Sequence, residues 1–453
     1  VPRVRRVRGE AFVTLALLNI FVLIAGFVTL DMVEARPLPA SPHPVTDAEG
    51  AASVDPAAST PADPDRIADV LDDPMSASGL EDGLSGFVVD GATGETLFER
   101  DADTAAVPAS TTKIATAVAA LSTAGPDHRL TTEVHLDAEQ GRAVLRGGGD
   151  ATLTEKSGTV AYPQVATLEE LAESTAEALE DEGVDSVSLG YDDSHFTGSD
   201  TGPGWKPTYI TEGSTAAAHA LLLDSGRVDP DVSTREEDPP RAAADAFAVQ
   251  LEEAGIEVEG APSEEKASGE VLAEIESAPV SDLVEFMMLA SDNNMAESLG
   301  RLAALETGEE PDFAGAAAAT HQVLDGLGID GVDLADNSGL SPENRITPRA
   351  LVEMIQLAGA PEHPELDAAF TGLPTAHATG TLAGRYSEYS GSHGGAGLVR
   401  GKTGTLDGVS SLAGTVHDQE GNLFVYAFVA NVDGATGPQL DTFAAALSEC
   451  GCS

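Results

Sequence analysis

The period of the hydrophobic pattern changes several times along the chain, and each change predicts an element. The run Gly86-Phe87-Val88-Val89-Asp90 reads as a strand, Gly91-Ala92-Thr93-Gly94 as a turn, and Thr96-Leu97-Phe98-Glu99-Arg100 as the return strand. Pro108-Ala109 then leads into a helix from Ser110 to about Leu121, whose small and apolar residues Ile114, Ala115, Ala117 and Val118 predict burial. Between 130 and 277 strands (130–136, 143–145, 186–189, 256–258) alternate with helices (167–182, 241–254), the pattern of a small α/β insertion. From Val280 the chain turns helical, with helices predicted over 282–304, 313–326 and 348–358. Three strands follow, 398–402, 410–416 and 423–432, with tight turns at Asp407-Gly408 and Glu420-Gly421 and a last helix over 438–447. Strands at both ends around a helical middle predict an α/β (α+β) fold. One antiparallel sheet, flanked by helices, is assembled from both ends of the chain, and a smaller α/β domain is inserted.

Ahead of these elements lie two segments of different character. Arg3, Arg5, Arg6 and Arg8 precede residues 11–30, a run of 20 residues without a charge. About 20 apolar residues span a bilayer as a helix, and a basic flank stays in the cytoplasm. Residues 1–35 are therefore expected to be a transmembrane signal-anchor, leaving the rest of the chain extracytoplasmic. Val33-Glu34-Ala35 offers the alternative of a cleavage site, which would make the protein an exported one. Residues 36–75, rich in Pro, Ala and Asp, are expected to be a disordered linker.

Charge narrows the function classes. The net charge of −53 excludes general nucleic-acid binding, which needs a basic face, and the acid is spread along the chain as on a solvated surface. The two cysteines, Cys450 and Cys452, are too few for a disulfide framework, and a pair two positions apart is cramped for an internal bridge. They are expected to belong to a dispensable tail. The histidines are scattered without metal-ligand spacing, there is no H-E-x-x-H, and Gly147-Gly148-Gly149-Asp150 lacks the Lys-Ser/Thr of a phosphate loop. Neither a metal nor a cofactor is expected.

Three motifs carry the chemistry. Ser110-Thr111-Thr112-Lys113 is an S-x-x-K, Ser291-Asp292-Asn293 an S-D-N, and Lys402-Thr403-Gly404 a K-T-G. Each is weak alone; in this order they are the signature of the serine acyl-transferases that include β-lactamases and penicillin-binding proteins. The chain has only five lysines, Lys113, Lys156, Lys206, Lys266 and Lys402, and two of them sit in the motifs. A serine hydroxyl needs a base to become a nucleophile, and Lys113, three positions on, shares its helix face. To act as a base the lysine must be neutral. Burial, or a second cation such as Lys402, would depress its pKa from about 10.4. Ser291 is placed to shuttle a proton to a leaving group, and Asn293 to hold Lys113 and bind a substrate amide. The N–H groups of Ser110 and of Thr405, just past the K-T-G, would face an oxyanion. Gly404 would let a substrate approach the strand, which would pair with an extended peptide while Lys402 and Thr403 meet its terminal carboxylate.

Beyond the motifs, Leu145-Arg146-Gly147-Gly148-Gly149-Asp150, Gly202-Pro203-Gly204-Trp205, Asp292-Asn293-Asn294-Met295-Ala296-Glu297, Asp336-Asn337-Ser338-Gly339-Leu340-Ser341 with Asn344-Arg345-Ile346-Thr347-Pro348, and Gly380-Thr381-Leu382 with Arg385 extend the likeness. With these segments, over residues 84–447, the chain resembles the D-alanyl-D-alanine carboxypeptidase/endopeptidase family, the low-molecular-mass class C penicillin-binding proteins. The resemblance implies a β-lactamase/transpeptidase-like domain over 76–129 and 278–449, with a smaller domain inserted at 130–277. It implies hydrolysis of D-Ala-D-Ala ends or crosslinks in peptidoglycan stem peptides, and acylation by β-lactams. The run between Ser110 and Ser291 is short for the family's larger members, so their third domain is expected to be missing or reduced. A serine β-lactamase, and a non-catalytic cell-wall-binding protein on the same scaffold, are the alternatives. The sequence does not separate carboxypeptidase from endopeptidase preference and does not indicate an oligomeric state.

Overall fold

The structure, a computed structural model, describes residues 62–137, 141–156, 158 and 162–452. The expected membrane segment and most of the expected linker lie outside these residues. Among the described residues no helix is long and apolar enough to cross a membrane.

Among the described residues thirteen strands are numbered in chain order. They are β1 (Leu84–Asp90), β2 (Thr96–Arg100), β3 (Arg129–Asp137), β4 (Arg142–Arg146), β5 (Ser186–Asp192), β6 (Glu257–Val258), β7 (Ser263–Glu264), β8 (Glu270–Pro279), β9 (Val332–Asp333), β10 (Arg345–Ile346), β11 (Val399–Leu406), β12 (Val409–His417) and β13 (Leu423–Asn431). The main sheet runs β11-β12-β13-β1-β2 and is antiparallel throughout, so strands from both ends of the chain do pair. Every residue of β1 is buried, because the sheet is covered on both faces. Alternate side chains go to alternate faces. Phe87 and Val89 pack with Val118 and Leu121 of the helix Thr112–Ala124 and with Leu351 and Ile355 of the helix Pro348–Ala358. Val88 faces the other way, into a layer with Phe428, Phe443 and Leu71. That placement leaves β11, which carries the K-T-G, at the edge of the sheet.

The second layer corrects two expectations. Residues 64–75 are not linker: the helix Pro64–Ser78 closes over the sheet. Asp63 caps it by accepting from Asp65 N–H, Pro64 stands in the first turn, and Ile67, Leu71 and Met75, four apart, are its buried stripe. The Pro/Ala/Asp composition hides this period. The C-terminal tail is likewise integral. Cys450 and Cys452 are bridged and buried in the same cluster. Cys450 leaves the helix Gly437–Glu449 with extended backbone, and that sets the two Cα atoms 5.1 Å apart, within the reach of a disulfide. Asp63 N–H donates to the Cys452 carbonyl at 2.7 Å.

A separate sheet, β6-β5-β4-β3-β8 with β7 beside β5, occupies the middle of the chain. Its β3, β4 and β8 are antiparallel, whereas β4, β5 and β6 run parallel. The helices Leu168–Asp181 and Pro239–Glu253 cover it through Leu171, Leu179, Phe247 and Leu251. The edge strand β8 was not anticipated, because its alternating glutamates stay largely exposed and mask a strand pattern.

If the helix Pro64–Ser78 is part of the fold, Leu71→Ala opens a cavity and lowers the unfolding free energy by about 2–5 kcal/mol in a denaturant titration. A linker residue would give no change.

Candidate active site

The turn that presents Ser110 is held from both sides. Residues Ala109–Thr111 form one 3-10 turn ahead of the helix Thr112–Ala124, so the regular helix begins two residues later than the sequence suggests. Ala109 has a φ of 48°, the left-handed region that an alanine rarely enters. Ser411 Oγ and Thr111 Oγ1 both donate to the Pro108 carbonyl, at 2.6 and 2.7 Å, and Val107 N–H donates to Asn431 Oδ1 at 2.7 Å. A Cβ on Gly404 would stand 2.2 Å from Ser411 Oγ, 2.7 Å from the Pro108 carbonyl oxygen and 2.9 Å from Ser110 N. The missing side chain of Gly404 thus makes room for the serine turn itself. Ser110 remains half-buried and open to one side.

The S-D-N does not lie inside one helix, as the pattern over 282–304 suggests. The helix Val280–Ala290 ends and Asn293–Thr307 begins around it, with Ser291 in a left-handed conformation at φ 55° and ψ 37°. Asp292 caps the second helix by accepting from Met295 N–H at 2.9 Å. Because of this break, two residues that a continuous helix would turn apart serve one cleft. Ser291 Oγ accepts from Lys402 Nζ at 2.8 Å, and Asn293 Oδ1 accepts from Lys113 Nζ at 2.7 Å.

Both motif lysines are fully buried, while Lys156, Lys206 and Lys266 are exposed. Lys113 Nζ donates to Ser110 Oγ at 3.2 Å, to Asn293 Oδ1, and to the Ser338 carbonyl at 2.6 Å. Lys402 Nζ also donates to the Thr403 carbonyl at 3.0 Å. Burial pushes Lys113 down to about 8, held from falling further by the carboxylates of Asp336, Asp292 and Glu297. Burial, and then the charge of Lys113, hold Lys402 well below the usual ammonium range. The electrostatic pressure was expected to run from Lys402 onto Lys113; it falls on Lys402 instead, because Lys113 has the acidic neighbours.

The edge strand supplies an open ladder. Gly401 N–H donates outward to the Pro374 carbonyl at 2.8 Å. Thr403 and Thr405, two and four residues on, therefore turn their backbone groups the same way, away from β12. Thr405 is exposed, and Thr403 Oγ1 lies 2.9 Å from Thr381 Oγ1. Asn293 Nδ2 donates to the Ser214 carbonyl at 2.8 Å, which ties the motif to the middle segment. Ser110, Lys113, Ser291, Asn293 and Lys402 are thus brought together, next to Thr403, Gly404 and Thr405 on β11. Among the described residues no cluster suited to a metal ion occurs.

The role of the 336–341 block is visible only in the structure. Asp336 accepts from Gly339 N–H, Ser341 N–H, Asn344 Nδ2 and Trp205 Nε1 at 2.7–2.9 Å, and so folds the loop that brings the Ser338 carbonyl to Lys113. A Cβ on Gly339 would lie 2.0 Å from the Ala109 carbonyl oxygen. The signal was present as a buried-type aspartate among small residues, but it named no partner.

Known proteins share this arrangement of sequence and fold. The profile of the D-Ala-D-Ala carboxypeptidase 3 (S13) family matches residues 65–239 and 230–448. Carboxypeptidase DacB of Mycolicibacterium smegmatis is 36% identical over 432 residues, covering 92% of this chain and 91% of that protein. A D-alanyl-D-alanine carboxypeptidase of Actinomadura sp. is 30% identical over 491 residues, covering 91% of this chain and 87% of that one. The crystal structure of penicillin-binding protein 4 from Haemophilus influenzae, also solved in complex with a β-lactam, superposes with a TM-score of 0.66 at 22% identity, over 83% of this chain and 97% of that one. That likeness shows a shared fold.

Gly404→Ala tests the fit of the serine turn. The added methyl group overpacks against Pro108 and Ser110, lowering stability by about 1–3 kcal/mol and slowing labelling of the protein by a fluorescent penicillin by about tenfold or more. Wild-type labelling would show that Gly404 does not set the position of the turn.

Proposed function

The chain belongs to the D-Ala-D-Ala carboxypeptidase 3 (S13) family, and from that premise we propose that it cleaves D-alanyl-D-alanine ends of peptidoglycan stem peptides through an acyl-enzyme on Ser110. It is a serine hydrolase. The observation that carries the assignment of the nucleophile is the 3.2 Å contact between Ser110 Oγ and Lys113 Nζ, a buried lysine whose pKa is lowered to about 8.

The reaction begins with the peptide alongside β11, its terminal carboxylate against Lys402 and Thr403. An arriving carboxylate restores the proton affinity that burial takes from Lys402, and the resulting ammonium presses on Lys113, favouring its neutral form. Neutral Lys113 takes the proton of Ser110 as Oγ bonds to the carbonyl carbon of the penultimate D-Ala. The oxyanion faces the N–H groups of Ser110 and Thr405. The proton passes through Ser291 to the amine of the terminal D-Ala as the C–N bond breaks. Water, deprotonated by the same base, then cleaves the ester and returns Ser110. Asn293 orients Lys113 throughout. A β-lactam enters by the same attack and leaves its opened ring on Ser110, in keeping with the β-lactam complex of the H. influenzae protein. Where a crosslink rather than a free end occupies the cleft, the same steps make the enzyme an endopeptidase.

In the same reading, 62–129 with 278–452 is the transpeptidase-like domain, extended by the helix Pro64–Ser78 and the cysteine tail, and 130–277 is an insertion. Their separate sheets support that division, and most of the insertion's apolar residues form a cluster of their own, while Leu130, Ala151 and Leu222 join the main core. Residues 11–30 would anchor the enzyme with its catalytic part outside the cytoplasm, facing the cell wall.

The function is tested by incubating the purified protein with a peptide ending in D-Ala-D-Ala. Free D-Ala accumulates with the wild type and is lost with Ser110→Ala, while nitrocefin is turned over about once per enzyme and then only slowly. Sustained nitrocefin hydrolysis without D-Ala release would instead establish a β-lactamase.

A further inference from the structure

Behind Lys113, on the side away from the cleft, lies a second buried charged group with no place in the steps above. Glu297 is 1% exposed and Arg301, one turn on, is 0% exposed. Glu297 Oε1 accepts from two consecutive backbone groups, Asn337 N–H at 3.2 Å and Ser338 N–H at 2.8 Å. The carbonyl of that same Ser338 is the closest acceptor of Lys113 Nζ, at 2.6 Å. Glu297 Oε2 stands 3.4 Å from Arg301 Nη1. The Arg301 guanidinium lies against Phe313 at 4.3 Å and Phe196 at 5.3 Å, while its Nε and Nη2 have no hydrogen-bond partner. Asn337 is held from a further side, its Nδ2 donating to Thr320 Oγ1 at 2.9 Å.

Such an arrangement is poorly explained by stability alone. A buried ion pair is commonly matched or bettered by apolar residues of similar volume, and this pair leaves two guanidinium nitrogens unsatisfied. What it achieves is directional: one carboxylate oxygen fixes the 337–338 backbone and so aims a carbonyl at the lysine that must deprotonate Ser110.

We propose that Glu297 is a positioning residue for the Ser110 reaction, holding the Ser338 carbonyl on Lys113 and setting, through its charge, how readily Lys113 gives up its proton. It rests on Lys113 being the base. Every charged group around the pair bears on this balance. Lys113 faces Asp292 from the cap and Glu297 from the body of the helix Asn293–Thr307, Asp336 from the loop before β10, and Lys402 from β11. Glu297 faces Asp336 and Arg301, and Arg301 in turn faces Asp312 and Asp193. Burial, and then the charge of Asp336, push the Glu297 carboxyl up to about 7, so it is mostly ionised near pH 8, where Lys113 titrates, and protonated well below pH 7. In that range its negative charge keeps the proton on Lys113.

Glu297→Gln retains an oxygen for the two N–H groups and removes the charge. The test is the rate of acylation by a fluorescent penicillin between pH 5.5 and 9.5, for wild type and variant. In the wild type the rate rises through a limb near pH 8, where Lys113 becomes neutral. In Glu297→Gln the limb moves to lower pH and the variant outpaces the wild type between about pH 7 and 8; below about pH 6, where the wild-type carboxyl is itself protonated, the two rates converge. A uniformly slower variant with an unmoved limb would overturn the proposal and leave the base assignment standing. A wild type with no limb would overturn both. Glu297→Met with Arg301→Met removes both charges together and keeps the core filled. Acylation at pH 9, where Lys113 is neutral in any case, should then fall about tenfold or more in a protein that melts cooperatively. Wild-type acylation by that double variant would show that the pair does not position anything.

Discussion

Two lysine amines share a space from which water is largely excluded, and the rest of the site follows from making that tolerable. An unpaired buried charge costs several kcal/mol, so each lysine must be surrounded by acceptors or lose its proton. Lys113 receives a hydroxyl, an amide oxygen and a carbonyl from three separate stretches of chain. Lys402 receives the Ser291 hydroxyl and a carbonyl of its own strand. The price of this arrangement is visible in the backbone, where Ala109 and Ser291 both sit at positive φ beside the reacting groups. Burial that would merely destabilise an ordinary lysine here lowers its proton affinity into the range of a useful base.

The fold delivers these groups from distant parts of the sequence. The main sheet pairs the first strands of the folded chain with its last three, which leaves β11 on an edge beside the N-terminus of the helix that follows Ser110. Glycine at 404 and at 339 allows the serine turn to be clamped between that strand and the Ser338 loop. The helix break at Ser291 closes the cleft from the third side. No single element could hold the five groups, and displacement of any one contact would be felt by the others, because Ser110, Lys113, Ser291 and Lys402 are linked through hydrogen bonds and charge.

Much of this was legible in the residues. The three motifs named the chemically active side chains, and period changes placed them on a helix start, a helical stretch and a terminal strand. Local patterns failed where the structure depends on long-range packing. The buried stripe of Ile67, Leu71 and Met75 was hidden by Pro, Asp and Ala around it. The Cys450–Cys452 segment looked expendable until the helix it packs on was known. The helix break at Ser291 has no glycine or proline to announce it. The contributions of Asp336 and Glu297 are made through backbone N–H groups and a carbonyl, which a sequence motif does not encode.

The account turns on one oxygen atom being the nucleophile. Incubating the protein with benzylpenicillin, measuring its intact mass and mapping the adduct by proteolysis addresses that directly. One penicilloyl group should add per chain, on the peptide that contains Ser110. No adduct, or an adduct confined to another serine, would contradict it.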